Sequence, residues 1–227
     1  MRLNILLLIS CSLFSLSAFS QLNGNYNYSI SVTGYRIFQN PKIFEQDPQK
    51  YINSAASGAM IKINDNQISY RFSGSFLQKN VNFQNNCESC QLANGKITDY
   101  TFKIGFEKSF NYSWMQPYFA FDIGYRYNRF KGMMNTINNQ QAISSVSQIA
   151  DTKTGINIAP VLGIKLNPTE RISIFAEANV ELYLLHNRQE TLAQNSSGSN
   201  NLNSFNKGTI LINPVAIGIQ YHLGNKN

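Results

Sequence analysis

Charge is what this chain lacks first. Only 14% of its 227 residues are Asp, Glu, Lys or Arg, against about 25% in an ordinary soluble domain. With 43% hydrophobic types beside so little charge, intrinsic disorder is excluded and the composition departs from that of a cytosolic domain. Cysteine is scarce, with three residues, and there are only two histidines. No run after residue 20 approaches 18 continuous apolar residues, and the mean hydropathy is negative, so a bundle of membrane helices is excluded. The formal net charge is +7. The basic residues are scattered outside any nucleic-acid-binding motif, and a nucleic-acid partner is not expected. Aromatic residues, by contrast, are plentiful: 15 Phe and 12 Tyr.

The first residues read as an address. Met1-Arg2 supplies a positive start, Ile5 to Phe19 is apolar and serine-dotted, and Ala18-Phe19-Ser20 fits the small-x-small cleavage rule. The apolar stretch, roughly 15 residues, falls short of the about 20 that a spanning helix needs. A cleaved signal peptide over residues 1–20 is therefore expected ahead of an uncleaved anchor, with one domain over residues 21–227. Leu8-Ile9-Ser10-Cys11 superficially matches a lipoprotein box, but it comes too early and the apolar run continues past it. Cleavage removes Arg2 and Cys11 and leaves Cys87 and Cys90.

From Gln21 onward the dominant period is two, the signature of strands. Tyr26, Tyr28, Ile30 and Val32 alternate with polar residues, as do Ile68, Tyr70, Phe72, Gly74 and Phe76. So do Tyr100 to Phe106, Phe119 to Tyr127, Ile156 to Ile164 and Ile172 to Leu182. Two weaker runs cover residues 55–63 and 209–223, the second interrupted by Asn213-Pro214, which reads as a bulge. Eight strands of roughly 10–14 residues result, longer than globular strands and close to the about 9–11 of a tilted membrane strand. Connections alternate in length. Long ones fall at about 39–54, 81–96, 132–153 and 190–207, and tight turns at Asn64-Asp65-Asn66, Asn111 to Met115 and Asn167 to Glu170. In an up-and-down meander the long loops share one rim and the turns the other.

The same alternation suits a soluble barrel with its apolar face inward or a membrane barrel with that face outward. The apolar face carries almost no charge, and its aromatics (Tyr26, Tyr28, Phe38, Phe76, Tyr100, Tyr125, Tyr127, Tyr221) gather toward strand ends like interfacial girdles. The opposite face carries Lys62, Arg71, Lys103, Arg126 and Lys165 against Asp99, Glu107, Asp122, Glu177 and Glu181. Such a balance suits a narrow interior in which every buried charge needs a partner. The expected fold is an all-β, eight-stranded, antiparallel up-and-down transmembrane barrel with long extracellular loops and short periplasmic turns.

On these features, and on the final run Gly218-Ile219-Gln220-Tyr221-His222-Leu223, residues 21–223 resemble the small outer-membrane β-barrel family of Gram-negative bacteria, of the OmpA/OmpX type. The resemblance implies a location in the outer membrane and a topology more than an activity.

Candidate sites are few. Cys87-Glu88-Ser89-Cys90 lies in a loop context and reads as a disulfide in an oxidising compartment. A redox motif would want a following helix, and zinc would want a second ligand pair. His186-Asn187-Arg188 and His222-Leu223-Gly224 lack the His-x-Ser of barrels that resemble lipid A deacylases, so no enzyme is expected, although His186 beside a loop serine leaves a nucleophilic pair open. Arg36, Arg129, Lys131, His186 and Arg188 share the parity of the apolar face at the long-loop ends of their strands. They form an expected basic collar at the level of lipopolysaccharide phosphates, with simple snorkelling as the alternative. No cofactor or metal is implied. The expected function is a monomeric structural or binding protein whose loops contact ligands or partners, with outer-membrane lipid and lipopolysaccharide around the barrel. A narrow channel and a secreted barrel binding a small apolar ligand are the alternatives.

Overall fold

The computed structural model describes residues 26–45, 50–65, 68–84, 91–111, 113–137, 143–193 and 200–224. The leader expected over residues 1–20 and the Cys87–Cys90 pair lie outside the described residues. Among the described residues the chain forms eight strands: β1 (Tyr28–Gln39), β2 (Tyr51–Asp65), β3 (Ile68–Gln84), β4 (Gln91–Ser109), β5 (Met115–Ile137), β6 (Ile143–Leu166), β7 (Ile172–Ala193) and β8 (Asn200–Leu223). Each pairs antiparallel with its sequence neighbour, and β1 closes the ring on β8.

The apolar set of each strand faces outward. One row of paired residues runs Ile61, Phe72, Ile104, Ile123, Ile158, Leu182, Ile210 through β2 to β8. Phe72, Ile104 and Ile174 are 40%, 49% and 43% exposed, whereas Arg71 and Glu177 are 3% and 9% exposed. This is the reverse of a water-soluble barrel. Side chains alternate strictly across a strand, so once closure aims Arg71 and Glu107 inward, every residue in phase with them follows.

The strands are longer than their alternation suggests. β5 to β8 have 23, 24, 22 and 24 residues. Most of the segments expected as long loops at 81–96, 132–153 and 190–207 are strand extensions beyond the apolar band. The reason is an inversion of face. On β3 the outward residues change from Tyr70, Phe72 and Phe76 to Gln78, Asn80 and Asn82, while the inward ones change from Arg71, Ser73 and Ser75 to Leu77 and Val81. Above the band the wall on β3 to β5 is polar outside and apolar inside, and a pattern judged by one apolar face reads there as loop.

Inside this tall end, Phe38, Ile52, Leu77, Ile97, Phe130 and Ile149 pack as a buried apolar cluster. Residues 40–45, leaving β1, fold down onto it. Ile43 is fully buried there. Phe44 and Glu45 hold left-handed φ angles of 48° and 62°, a region that non-glycine residues resist. The Phe44 amide donates to Asp151 Oδ2 at 2.8 Å, and Glu45 pairs with Lys207. The segment thus plugs the barrel mouth.

Two irregularities interrupt the ladders. The β1–β2 and β1–β8 pairings both shift between Thr33 and Tyr35, and Ala56 opposite has a φ of 47°. On β8 the pairings Glu177↔Ala216 and Asn179↔Asn213 leave one extra residue at Pro214-Val215, the bulge that Asn213-Pro214 signals in the sequence.

Candidate functional site

All ten charged residues of the expected interior set point into the barrel and meet there, in two clusters. In the lower one Glu107 accepts from Lys62 at 2.5 Å, from Arg71 Nη1 at 3.3 Å and from Lys165. Arg71 also reaches Asp122 Oδ1 through Nε at 3.1 Å and forks onto Glu177, Nη1 to Oε1 at 3.0 Å and Nη2 to Oε2 at 3.2 Å. Three cations thus face three carboxylates. In the upper cluster Arg126 donates to Asp99 Oδ2 from Nε and Nη2, both at 2.9 Å, and to Glu181 Oε1 from Nη1 at 2.9 Å. Lys103 Nζ completes Glu181 at 3.1 Å. Desolvated charges are tolerable only with this density of partners. The plug chemistry comes from register: Lys62 sits opposite Arg71, and Glu107 opposite Ser69, so cations from three strands converge on one carboxylate.

Uncharged residues absent from the expected set complete the clusters. Tyr118 donates to Glu177 Oε1 at 2.8 Å, Asn128 Nδ2 to Asp99 Oδ2 at 2.7 Å, and Tyr183 to the Arg126 carbonyl at 3.0 Å. Tyr118 could have been found from parity alone, because it lies in phase with Asp122 and Arg126 on β5. Apart from the two clusters, a further ion pair, Lys153 to Asp151 at 2.5 Å, lies in the tall part of β6 that reads as loop in the sequence. Three inward rings rest on glycines of the adjoining strand. An added Cβ at Gly163 would come within 2.6 Å of Tyr118 Cε2, one at Gly95 within 2.7 Å of Phe130 Cε2, and one at Gly218 within 2.6 Å of Phe175 Cε1.

The expected collar divides. Arg129, Lys131, His186 and Arg188 project outward above the apolar band. Arg36 does not. It points inward and lines a cavity. The cause is the bulge between Thr33 and Tyr35, which moves every later residue of β1 to the other face. The same shift carries Phe38 from the expected outer girdle into the buried cluster, with its ring 4.5 Å from the Arg36 guanidinium. Tyr26, also expected outside, is buried and stacks on His222 at 5.4 Å.

On the outer surface, register gathers the remaining basic residues on one side. Thr98, Arg129, Thr152 and Arg188 form one row across β4 to β7. Lys96 pairs directly with Lys131 in the next row. Lys96 is absent from the expected collar because the sequence pattern leaves it in the long loop at about 81–96, and the β4–β5 pairing sets it beside Lys131. Arg188 is held by Glu190 at 2.7 Å, whereas Arg129 Nε is buried with no hydrogen-bond partner among the described residues. At the lower edge of this surface Tyr100 stacks on Tyr127 with ring centroids 4.7 Å apart.

The histidines stand apart. His186 meets Asn206 at 2.8 Å on the outside. His222, inside the turn end, lies 2.7 Å from Ser173 through Nε2 and 3.0 Å from Ser29 through Nδ1. A hydroxyl, rather than the carboxylate of a catalytic triad, faces its second nitrogen. Among the described residues no group of three or more His, Cys, Asp or Glu could hold a metal ion.

The class is thus defined: a ring-closed, eight-stranded antiparallel barrel with an outward apolar band, an ion-paired interior and an apolar stopper at its tall end. No protein-family model, no curated protein and no solved structure matches the chain.

Proposed function

We propose that the chain is an outer-membrane β-barrel with a binding or structural role. The observation that carries this reading is the continuous outward apolar band, bounded by exposed Tyr28, Tyr70 and Tyr221 on the turn side and by Phe76, Tyr100 and Tyr125 on the other. So much contiguous apolar surface has no stable place in water, and aromatic borders suit lipid headgroups. The tall polar-outside wall then stands clear of the bilayer and is the part available to partners. Its basic side, with Lys96, Lys131 and Arg129, suits the phosphates of an anionic glycolipid such as lipopolysaccharide. Two ion-pair clusters and an apolar stopper inside an eight-stranded ring favour a closed anchor over a channel.

Fractionation of expressing Gram-negative cells tests the reading. The chain should appear in the outer-membrane fraction and run faster on a gel before boiling than after it. Recovery as a water-soluble periplasmic protein without detergent would overturn it.

A further inference from the structure

We propose that the cavity beside the β1 bulge is a binding site for one small monovalent anion of chloride size, held by Arg36. The inference starts from the charge balance of the interior. Lys62, Arg71 and Lys165 are matched by Glu107, Asp122 and Glu177, Lys103 and Arg126 by Asp99 and Glu181, and Lys153 by Asp151. Arg36 also points into the barrel and takes part in none of these pairs. Its Nε and Nη2 are buried and have no hydrogen-bond partner among the described residues. The Phe38 ring at 4.5 Å attracts its charge but accepts nothing from those N–H groups. Buried N–H donors left idle are costly, and proteins remove that cost by supplying an acceptor.

The space for one is present. A cavity of about 110 Å³ is lined by Arg36, by Thr33, Ser73, Ser75 and Thr101, and by charged side chains of both ion-pair clusters. At about 10–15 Å³ for each water-sized occupant, it takes an anion with part of its hydration shell. Room for it is left by small inward residues next to the bulge, Gly58 and Ser73 among them. The carboxylates that share the lining do not repel an anion as free charges would. Asp99 and Glu181 are held by Arg126, Lys103 and Asn128, Glu177 by Arg71 and Tyr118, and Asp122, the fourth lining carboxylate, is neutralised by its ion pair with Arg71 at 3.1 Å. The occupant is therefore an anion rather than a cation, and a small one, because the apolar cluster lies above the site and the lower ion pairs lie below it.

The test uses the full chain folded in detergent. Crystals soaked in bromide should give one anomalous peak in this cavity, in contact with Arg36 Nε or Nη2. In parallel, the unfolding midpoint should rise saturably with chloride relative to gluconate at equal ionic strength, and that rise should vanish in Arg36→Met. The bromide map is taken on the unmodified chain, so it decides the matter whether or not the variant folds. A cavity holding only water in bromide, or a midpoint that does not distinguish chloride from gluconate, overturns the proposal. Neither result bears on the outer-membrane reading, which stands on the outer surface.

Discussion

Arg71 on β3 and Glu177 on β7 meet across the barrel as a bidentate fork, with contacts of 3.0 and 3.2 Å. The strands are not neighbours in the sheet, so the pair spans the lumen and ties opposite walls together. Two parallel N–H···O contacts give it directionality as well as charge, and Tyr118 holds the carboxylate from a third strand.

Removing one partner should therefore cost more than removing both. Glu177→Gln leaves Arg71 with only part of its countercharge. It should lower stability by about 3–5 kcal/mol, the usual cost of stranding a buried charge. In an Asp122→Asn background, which removes the other carboxylate that depends on Arg71, combining Arg71→Met with Glu177→Leu should recover much of that loss. Urea unfolding of the barrel in lipid vesicles measures both. Equal losses in the single and double variants would contradict the pairing.

The outward band should reject charge. Ile104→Arg adds a cation in the middle of the apolar row and should destabilise the barrel in phospholipid vesicles by about 2–4 kcal/mol. Lys96→Gln, above the band, should change stability by less than about 0.5 kcal/mol. Similar small effects at both positions would argue against a lipid environment.

Two glycines of the same sheet should respond oppositely to alanine. At Gly163 the new Cβ meets the Tyr118 ring, which would have to leave Glu177, so Gly163→Ala should cost about 1–3 kcal/mol. At Gly74 a Cβ meets nothing within 4 Å, and Gly74→Ala should be tolerated. Unfolding midpoints of the two variants provide the comparison.

The basic side should steer the barrel toward phosphorylated lipid. Replacing Arg129 and Lys131 with Gln removes two charges worth about 1 kcal/mol each near an anionic surface, or roughly fivefold apiece. Affinity for lipopolysaccharide should fall by roughly 25-fold in total. Titration of fluorescent lipopolysaccharide into the detergent-solubilised protein reads this, and an unchanged affinity would reduce the patch to snorkelling side chains.

Solute should not pass. Vesicles carrying the barrel should swell in small sugars no faster than empty ones, because the ion pairs and the Phe38–Phe130 region fill the lumen. Swelling at a porin-like rate would restore the channel reading.

Much of this molecule is written locally. The period of two identifies the strands wherever a face stays apolar, as from Phe119 to Tyr127. It also separates the ten charges from the apolar residues, because neighbours along a strand must point opposite ways. Asn213-Pro214 announces its own bulge, since proline has no N–H to donate. Closure and register decided the rest. Which carboxylate serves which cation depends on cross-strand pairing, and no spacing along the chain brings Arg71 to Glu177. The tall ends of β3 to β5 are hidden in the sequence because their apolar face switches from outside to inside, which erases a single-face pattern. Arg36 and Phe38 sit on the side opposite to their parity for one reason. A one-residue bulge between Thr33 and Tyr35, with Gly34 as the extra residue against β8, reverses the face of everything after it, and parity counted along the chain does not register it.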